Sequence, residues 1–201
     1  MTLGTVPILL LAGGQSRRMG DRDKLLEPVD GVPLLRKLAM AALSTGHPVI
    51  VALPTDRPER QEALEGLSLA MHLFPDAAEG MGGTMRAAIA ALPPCPRFLL
   101  LLADLAEIEA EDIATLLHAP SEHPGRKIWR GATEDNRPGH PILFDASLRR
   151  EFAGLKGDSG GEPIAKRHAA ETVLVPLPGN RARSDLDTPE EWAAWRARTG
   201  R

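Results

Sequence analysis

The chain has 201 residues, 43% hydrophobic and 25% charged, the make-up of a soluble globular protein long enough for one sizeable core. A net charge of −3 offers DNA or RNA no electrostatic footing, and 3% aromatic residues without a single Tyr leave no stacking platform for a nucleic-acid strand. The lone Cys95 excludes a disulfide framework or a cysteine-rich metal site and fits a reducing compartment. In LPPCPRF it has only Arg97 as a basic neighbour, so it reads as an inert loop thiol.

The N-terminal MTLGTVPILLLAGG lacks a basic leader region, and its apolar run is too short to span a bilayer. A cytoplasmic protein with no membrane partner is expected. PILLLAG reads instead as a strand buried on both faces, as in a parallel sheet. VPLLRKLAMAALSTG has Leu34, Leu35, Leu38 and Leu43 near helical spacing, with Pro33 close to its start and Gly46 at its end. PVIVALP is a second buried strand, PERQEALEG a short polar helix and LAMHLF a third strand. GGTMRAAIAAL reads as a glycine turn opening an Ala-rich helix. RFLLLLAD is a strand ending on Asp104, and EAEDIATLLHA a helix with acids in its first turn, where they suit the dipole.

KIWRGATEDNRPGHPILFD predicts paired strands about a polar turn. ASLRREFAGL and GEPIAKRHAA predict helices, and ETVLVPLP a strand. SDLDTPEEWAAWRAR joins an acidic turn to a last helix, with Thr188 as N-cap and Pro189 at its first position. No long linker, repeat or low-complexity tract interrupts the chain, so one domain over 1–201 is expected. Strands alternating with helices predict an α/β fold: an open, mainly parallel sheet with helices on both faces. In such sheets the C-terminal strand ends share one rim, where ligands bind. Gly13, Gly14 and Asp104 each follow a strand and should meet there.

The stretch LLLAGGQSRRMGDRDK carries the chemistry. A glycine turn after a strand exposes backbone N–H groups, and the missing Cβ atoms allow a ligand close. Neither common fingerprint fits: Asp21 rather than Lys follows Gly20, and Gly13 and Gly14 are adjacent. Two glycines alone would be an ordinary tight turn before a solvated helix. With Arg18, whose guanidinium can chelate phosphate oxygens, and Lys24 as a mobile charge, the stretch reads as a triphosphate cradle.

LAGGQSRRMGDRDKLL resembles the signature of the molybdenum-cofactor nucleotidyltransferases, within the nucleotide-diphospho-sugar transferase superfamily. GMGGTMRAAI is similar to that family's second glycine loop, LLLLAD to its metal-binding strand end, and GHPILF, GDSGG and DLDTPEEW to its C-terminal motifs. The resemblance implies that family's Rossmann-like fold. It also implies that backbone around Leu11, Ala12 and Gly13 meets base and ribose, with Gly82 in the second nucleotide-binding loop. Gly14, Arg18 and Lys24 would hold phosphates. Asp104 would ligate Mg²⁺, with Asp187 or Asp185 as the second carboxylate. Arg18, Lys24 and Asp104 are the expected catalytic residues. The resemblance implies Mg²⁺ as cofactor, and a nucleoside triphosphate and molybdopterin, or molybdenum cofactor, as partners, the latter as acceptor. His140 in GHP either touches the second substrate or is a turn histidine.

The chain departs from the family at Ala106, where a proline is common, and at Glu162-Pro163, where the cytidylyl branch has an arginine after GDSGG. Glu162 would face an anionic acceptor unfavourably. Gly13 and the spacing of GDRDK resemble the guanylyl branch, GHPILF and GDSGG the cytidylyl branch. The former lie nearer the base, so GTP is expected over CTP. The alternatives are CTP on the same acceptor, a sugar-phosphate nucleotidyltransferase, and a non-catalytic nucleotide binder that kept the fold.

Overall fold

The computed structural model describes residues 5–74, 80–155 and 160–201. Gly157, Asp158 and Ser159 of GDSGG lie outside them. The apolar runs form strands β1 (Ile8–Leu11), β4 (Val49–Pro54) and β6 (Arg97–Leu102), and the shorter β5 (Ala70–Phe74) follows β4 at the sheet edge. Between β1 and β4 come β2 (Pro28–Val29), β3 (Val32–Pro33) and helix α1 (Leu34–Ser44). Helix α2 (Pro58–Glu62) leads to β5, α3 (Gly80–Ala90) to β6, and α4 (Ala110–Glu122) to the paired strands β7 (Ile128–Ala132) and β8 (Pro138–Asp145). Helix α5 (Glu162–Arg167), strand β9 (Thr172–Pro176) and helix α6 (Pro189–Thr199) complete the order.

Among the described residues seven strands make one sheet in the order β5-β4-β1-β6-β8-β7-β9. β5, β4, β1 and β6 run parallel, β8 is antiparallel to both neighbours, and β7 and β9 are parallel to each other. Side chains alternate between the faces, as a strand buried on both sides requires. Ile8 and Leu10 pack with α1, α4 and α6, whereas Leu9 joins Met85, Ala88 and Ile89 of α3 and Ile164 of α5. On that second side Phe98 stacks on Phe144 and Phe152 meets both edge-on, with ring centroids 5.1–5.6 Å apart.

The chain leaves β1 for β4 on one side and later returns on the other side as β6. This is a topological switch point, the rim where such sheets bind ligands. Leu11 pairs in register with Leu102, and Ala103 N–H donates to Leu11 C=O at 3.1 Å, so the residues after the two strands emerge together. In the antiparallel register Leu100 faces Ile142, which carries the start of β8, with His140, to the same rim.

Several local expectations shift. Pro33 lies directly before α1, as expected, but it also ends an unexpected two-strand hairpin turned by Asp30 and Gly31 at φ 52° and 82°. The helix in PERQEALEG stops at Glu62 and gives way to turns. Gly82 and Gly83 lie inside α3, which begins at Gly80, rather than forming a turn before it. ASLRREFAG winds as 3-10 turns over Ala146–Gly154, and GEPIAKRHAA splits into α5 and a 3-10 turn at Ala169–Glu171. Leu148 and Phe152 are buried at i, i+4, the spacing of one α-helical face, so the local pattern favours the helix that the chain does not form.

Candidate active site

The glycine loop leaves β1 at Ala12, which is buried, and passes Gly13 and Gly14. Ser16 sits in the left-handed region, φ 51°, and a 3-10 turn at Arg17–Met19 tucks Met19 into the core. Gly20, at φ 65° and ψ −127°, takes a backbone conformation that only glycine adopts readily. Ser16 Oγ donates to Asp23 Oδ1 at 3.0 Å and accepts from Lys24 N–H at 3.2 Å, which closes the loop on itself. A Cβ at Gly14 would meet no atom within 4 Å, so that face of the loop is open to a ligand. A Cβ at Gly13 would lie 3.3 Å from Thr84 Cγ2 on α3. Gly82 lies on the same helix, two residues before this contact.

Lys24 is buried and its Nζ donates to Asp104 Oδ2 at 2.6 Å and to Asp187 Oδ1 at 2.5 Å. Arg18, largely exposed, donates to the other oxygen of Asp187. Four charged residues read from distant parts of the sequence thus converge beyond β1 and β6. Burial alone would pull the Lys24 pKa down. The Asp104 and Asp187 carboxylates outweigh it and hold the ammonium above the usual lysine value. Asp185 is close enough to feel the same acids: burial first, then the charges of Asp104 and Asp187, push its pKa up. Of the two aspartates left open by the sequence, Asp187 touches Lys24, while Asp185 pairs through its main chain with Leu105.

That main-chain bridge accounts for Ala106. Its N–H donates to Ser184 C=O at 3.2 Å, while Leu186 N–H donates to Asp104 C=O at 3.4 Å. A proline at 106 has no N–H and could not make the first bond. Ala106 thus contributes an N–H to the main-chain bonds that lay the Asp185–Asp187 segment against Asp104. Glu162 is likewise compensated: Arg130 pairs with it at 2.7 Å and Lys166 lies at 3.6 Å. Its charge faces a guanidinium. His140 is partly buried, with an Nδ1 that has no partner among the described residues. Burial and then Arg130 push its pKa down to about 4, against the opposing pull of Asp104 and Glu162, so the ring is neutral at pH 7. Burial also raises the Cys95 thiol pKa, in keeping with an inert side chain.

The acids suit a hard cation. Asp104 Oδ1 is buried without a hydrogen-bond partner among the described residues, and Asp185, raised first by burial, is raised further by the charges of Asp104 and Asp187. Among the described residues no group of three or more His, Cys, Asp or Glu side chains is arranged to hold a metal by itself. Two carboxylates with phosphate oxygens and water is the usual Mg²⁺ arrangement, so the donor set fits.

Residues 8–173 match the family model described as the MobA-like NTP transferase domain. The chain belongs to the MobA-like NTP transferase family. This transferase is 32% identical over 200 residues to the molybdenum cofactor guanylyltransferase of Rhodobacter capsulatus, with 92% of each chain covered. It is 27% identical over 192 residues to the nicotine blue oxidoreductase of Paenarthrobacter nicotinovorans, covering 91% of this chain and 92% of that one. The solved structure of Rv0371c from Mycobacterium tuberculosis H37Rv superposes with a TM-score of 0.79 at 23% identity, over 95% of this chain and 97% of that one. The transferase has the nucleotide-diphospho-sugar transferase fold and is a nucleotidyltransferase. Among its described residues no helix is long and apolar enough to cross a membrane.

Arg60 had no signal in the sequence. In PERQEALEG it looks like one more solvated charge, yet its side chain is completely buried beneath the glycine loop.

Proposed function

We propose that this transferase moves GMP from GTP to molybdopterin or the molybdenum cofactor, releasing pyrophosphate, in a Mg²⁺-dependent reaction in the cytoplasm. The observation that carries the reading is the meeting of the glycine loop, Arg18 and Lys24 with Asp104 and Asp187 at the switch point of the sheet. The acceptor reading rests on the name of the 32%-identical relative. The preference for GTP rests on Gly13, and the compartment on the lone Cys95.

The chemistry needs no protein nucleophile. A terminal phosphate oxygen of the acceptor, already ionised at neutral pH, forms a bond to the α-phosphorus. The bond from that phosphorus to the bridging oxygen breaks, and its electron pair leaves with pyrophosphate. No proton has to move. The protein aligns the two phosphates and offsets their charge. Backbone N–H groups of the glycine loop meet phosphate oxygens. Lys24, kept protonated by its acidic neighbours, and Arg18 at the rim supply positive charge. Asp104 and Asp187 would hold Mg²⁺, which when bound neutralises phosphate charge as a Lewis acid.

The test is a pyrophosphate-release screen of GTP, CTP, ATP and UTP, each with molybdopterin and with sugar 1-phosphates. Release with GTP and molybdopterin is expected. Release with CTP in place of GTP would overturn the base assignment, and release only with a sugar phosphate would overturn the acceptor. Nucleotide binding without turnover would leave a non-catalytic binder.

A further inference from the structure

A fully buried arginine needs acceptors, and Arg60 finds them all in the glycine loop. Its Nε donates to Asp23 Oδ2 at 2.7 Å and its Nη2 to Asp23 Oδ1 at 3.0 Å. Nη1 donates to Ala12 C=O, and Nη2 to Gly14 C=O at 2.6 Å, with Ser16 Oγ at 3.5 Å. Asp23 also accepts from Leu25 N–H at 3.0 Å, and burial, which would raise its pKa, is outweighed by Arg60, which leaves it lowered. One planar guanidinium therefore ties the start of the loop to its end.

The consequence for the loop is directional. A planar trans peptide points its C=O and N–H in opposite directions. With the carbonyls of Ala12 and Gly14 turned onto Arg60, the N–H of Gly13, on the same peptide as the Ala12 carbonyl, points away from it. Carbonyl oxygens carry partial negative charge and repel phosphate, whereas N–H groups attract it. A buried ion pair is weak grounds for stability by itself. Here its geometry sets which side of the backbone the loop shows.

We infer that Arg60 is the positioning residue of the nucleotide loop: it draws the Ala12 and Gly14 carbonyls inward so that the loop offers amide hydrogens to a nucleoside triphosphate. The inference rests on the nucleotidyl-transfer reading for its ligand and on the hydrogen bonds alone for the loop. Lysine cannot replace it, because an ammonium is one point of charge and does not span acceptors that a five-donor fork reaches together.

The experiment compares the wild type with Arg60→Lys, Arg60→Gln and a control, Arg36→Lys. Arg36 donates to Ala63 C=O and Glu65 C=O, both at 2.9 Å, and so braces backbone outside the loop. The readouts are thermal unfolding, amide hydrogen exchange over residues 9–24, and calorimetric GTP and CTP affinity with Mg²⁺. Arg60→Lys should keep a cooperative transition, speed loop exchange, and raise the triphosphate Kd roughly tenfold or more, the scale of one hydrogen bond to a charged group. Arg36→Lys should lower the unfolding midpoint and leave loop exchange and affinity alone. A folded Arg60→Lys or Arg60→Gln with wild-type exchange and affinity overturns the inference. So does loss of the cooperative transition in both, which would make Arg60 a fold-stabilising residue. If the wild type binds neither triphosphate, the nucleotide reading fails and loop exchange alone decides the role of Arg60.

Discussion

At the scale of single residues the site is a charge balance around Lys24. Its ammonium holds two carboxylates that would otherwise repel each other, and a third, Asp185, already feels their field. Asp104→Asn keeps an acceptor for Lys24 but removes a charge. The fold should persist, and pyrophosphate release at saturating Mg²⁺ should fall by roughly 10²-fold or more. Near-normal turnover would take Asp104 out of the metal site. Gly13 is a second sensitive point, because the space its missing methyl leaves is bordered by Thr84 Cγ2 at 3.3 Å. Gly13→Ala should press on Thr84, lower the thermal midpoint and shift kcat/KM from GTP toward CTP. Adding Thr84→Ser, which removes that methyl, should restore part of the midpoint. An unchanged nucleotide ratio would show that Gly13 does not choose the base.

At the scale of elements the acidic side of the site depends on how α6 begins. Thr188 Oγ1 accepts from Glu191 N–H at 3.2 Å, and Glu191 Oε2 accepts from the N–H groups of Asp187 at 2.7 Å and Thr188 at 3.1 Å. The capping box that starts the helix therefore also holds the backbone of Asp187. Thr188→Ala should cost about 1 kcal/mol in chemical denaturation with turnover near normal. Glu191→Ala should cost a similar amount and lower turnover as well, since it releases Asp187. Equal turnover in the two variants would separate the cap from the site. Thr188 and Pro189 could be read in advance because capping is local chemistry. The 3-10 turns at Ala146–Gly154 could not, because the i, i+4 apolar pair Leu148 and Phe152 is the pattern of an α-helix.

At the scale of the whole molecule, a titratable clamp joins the 3-10 segment after β8 to the turn that enters β9, two segments packed on the same face of the sheet. His168 Nδ1 lies 2.7 Å from Glu171 Oε2 at the entry to β9, and Nε2 lies 2.6 Å from Glu151 Oε1 in the 3-10 segment. The bond to Glu171, with Glu151 adding to it, overcomes partial burial and raises the pKa above 6.5. The folded state thus holds this proton more tightly than the unfolded chain does. Its stabilisation is complete below the unfolded value and is lost as pH rises through the folded one. The thermal midpoint should fall as pH rises above the unfolded value of about 6.5, and His168→Gln should flatten that slope. An identical slope in the variant would place the titration elsewhere.

By itself the sequence determined the strands and the loop chemistry. PILLLAG, PVIVALP and the FLLLL of RFLLLL carry no charge, are short and end at turn or loop residues, which suits a strand covered on both faces, and Gly13, Gly14, Arg18, Lys24 and Asp104 carry their chemistry in their residue types. Tertiary structure alone decided which charges meet. Asp187 touches Lys24 because the Leu105–Asp185 bridge lays two distant segments side by side, and that bridge uses an N–H of Ala106 that no local pattern marks. Arg60 is the clearest case. Charge and polar neighbours place it in water by every local rule, but the carbonyls of Ala12 and Gly14 and the carboxylate of Asp23 gather beneath the loop only after folding, and together they make burial of a guanidinium favourable.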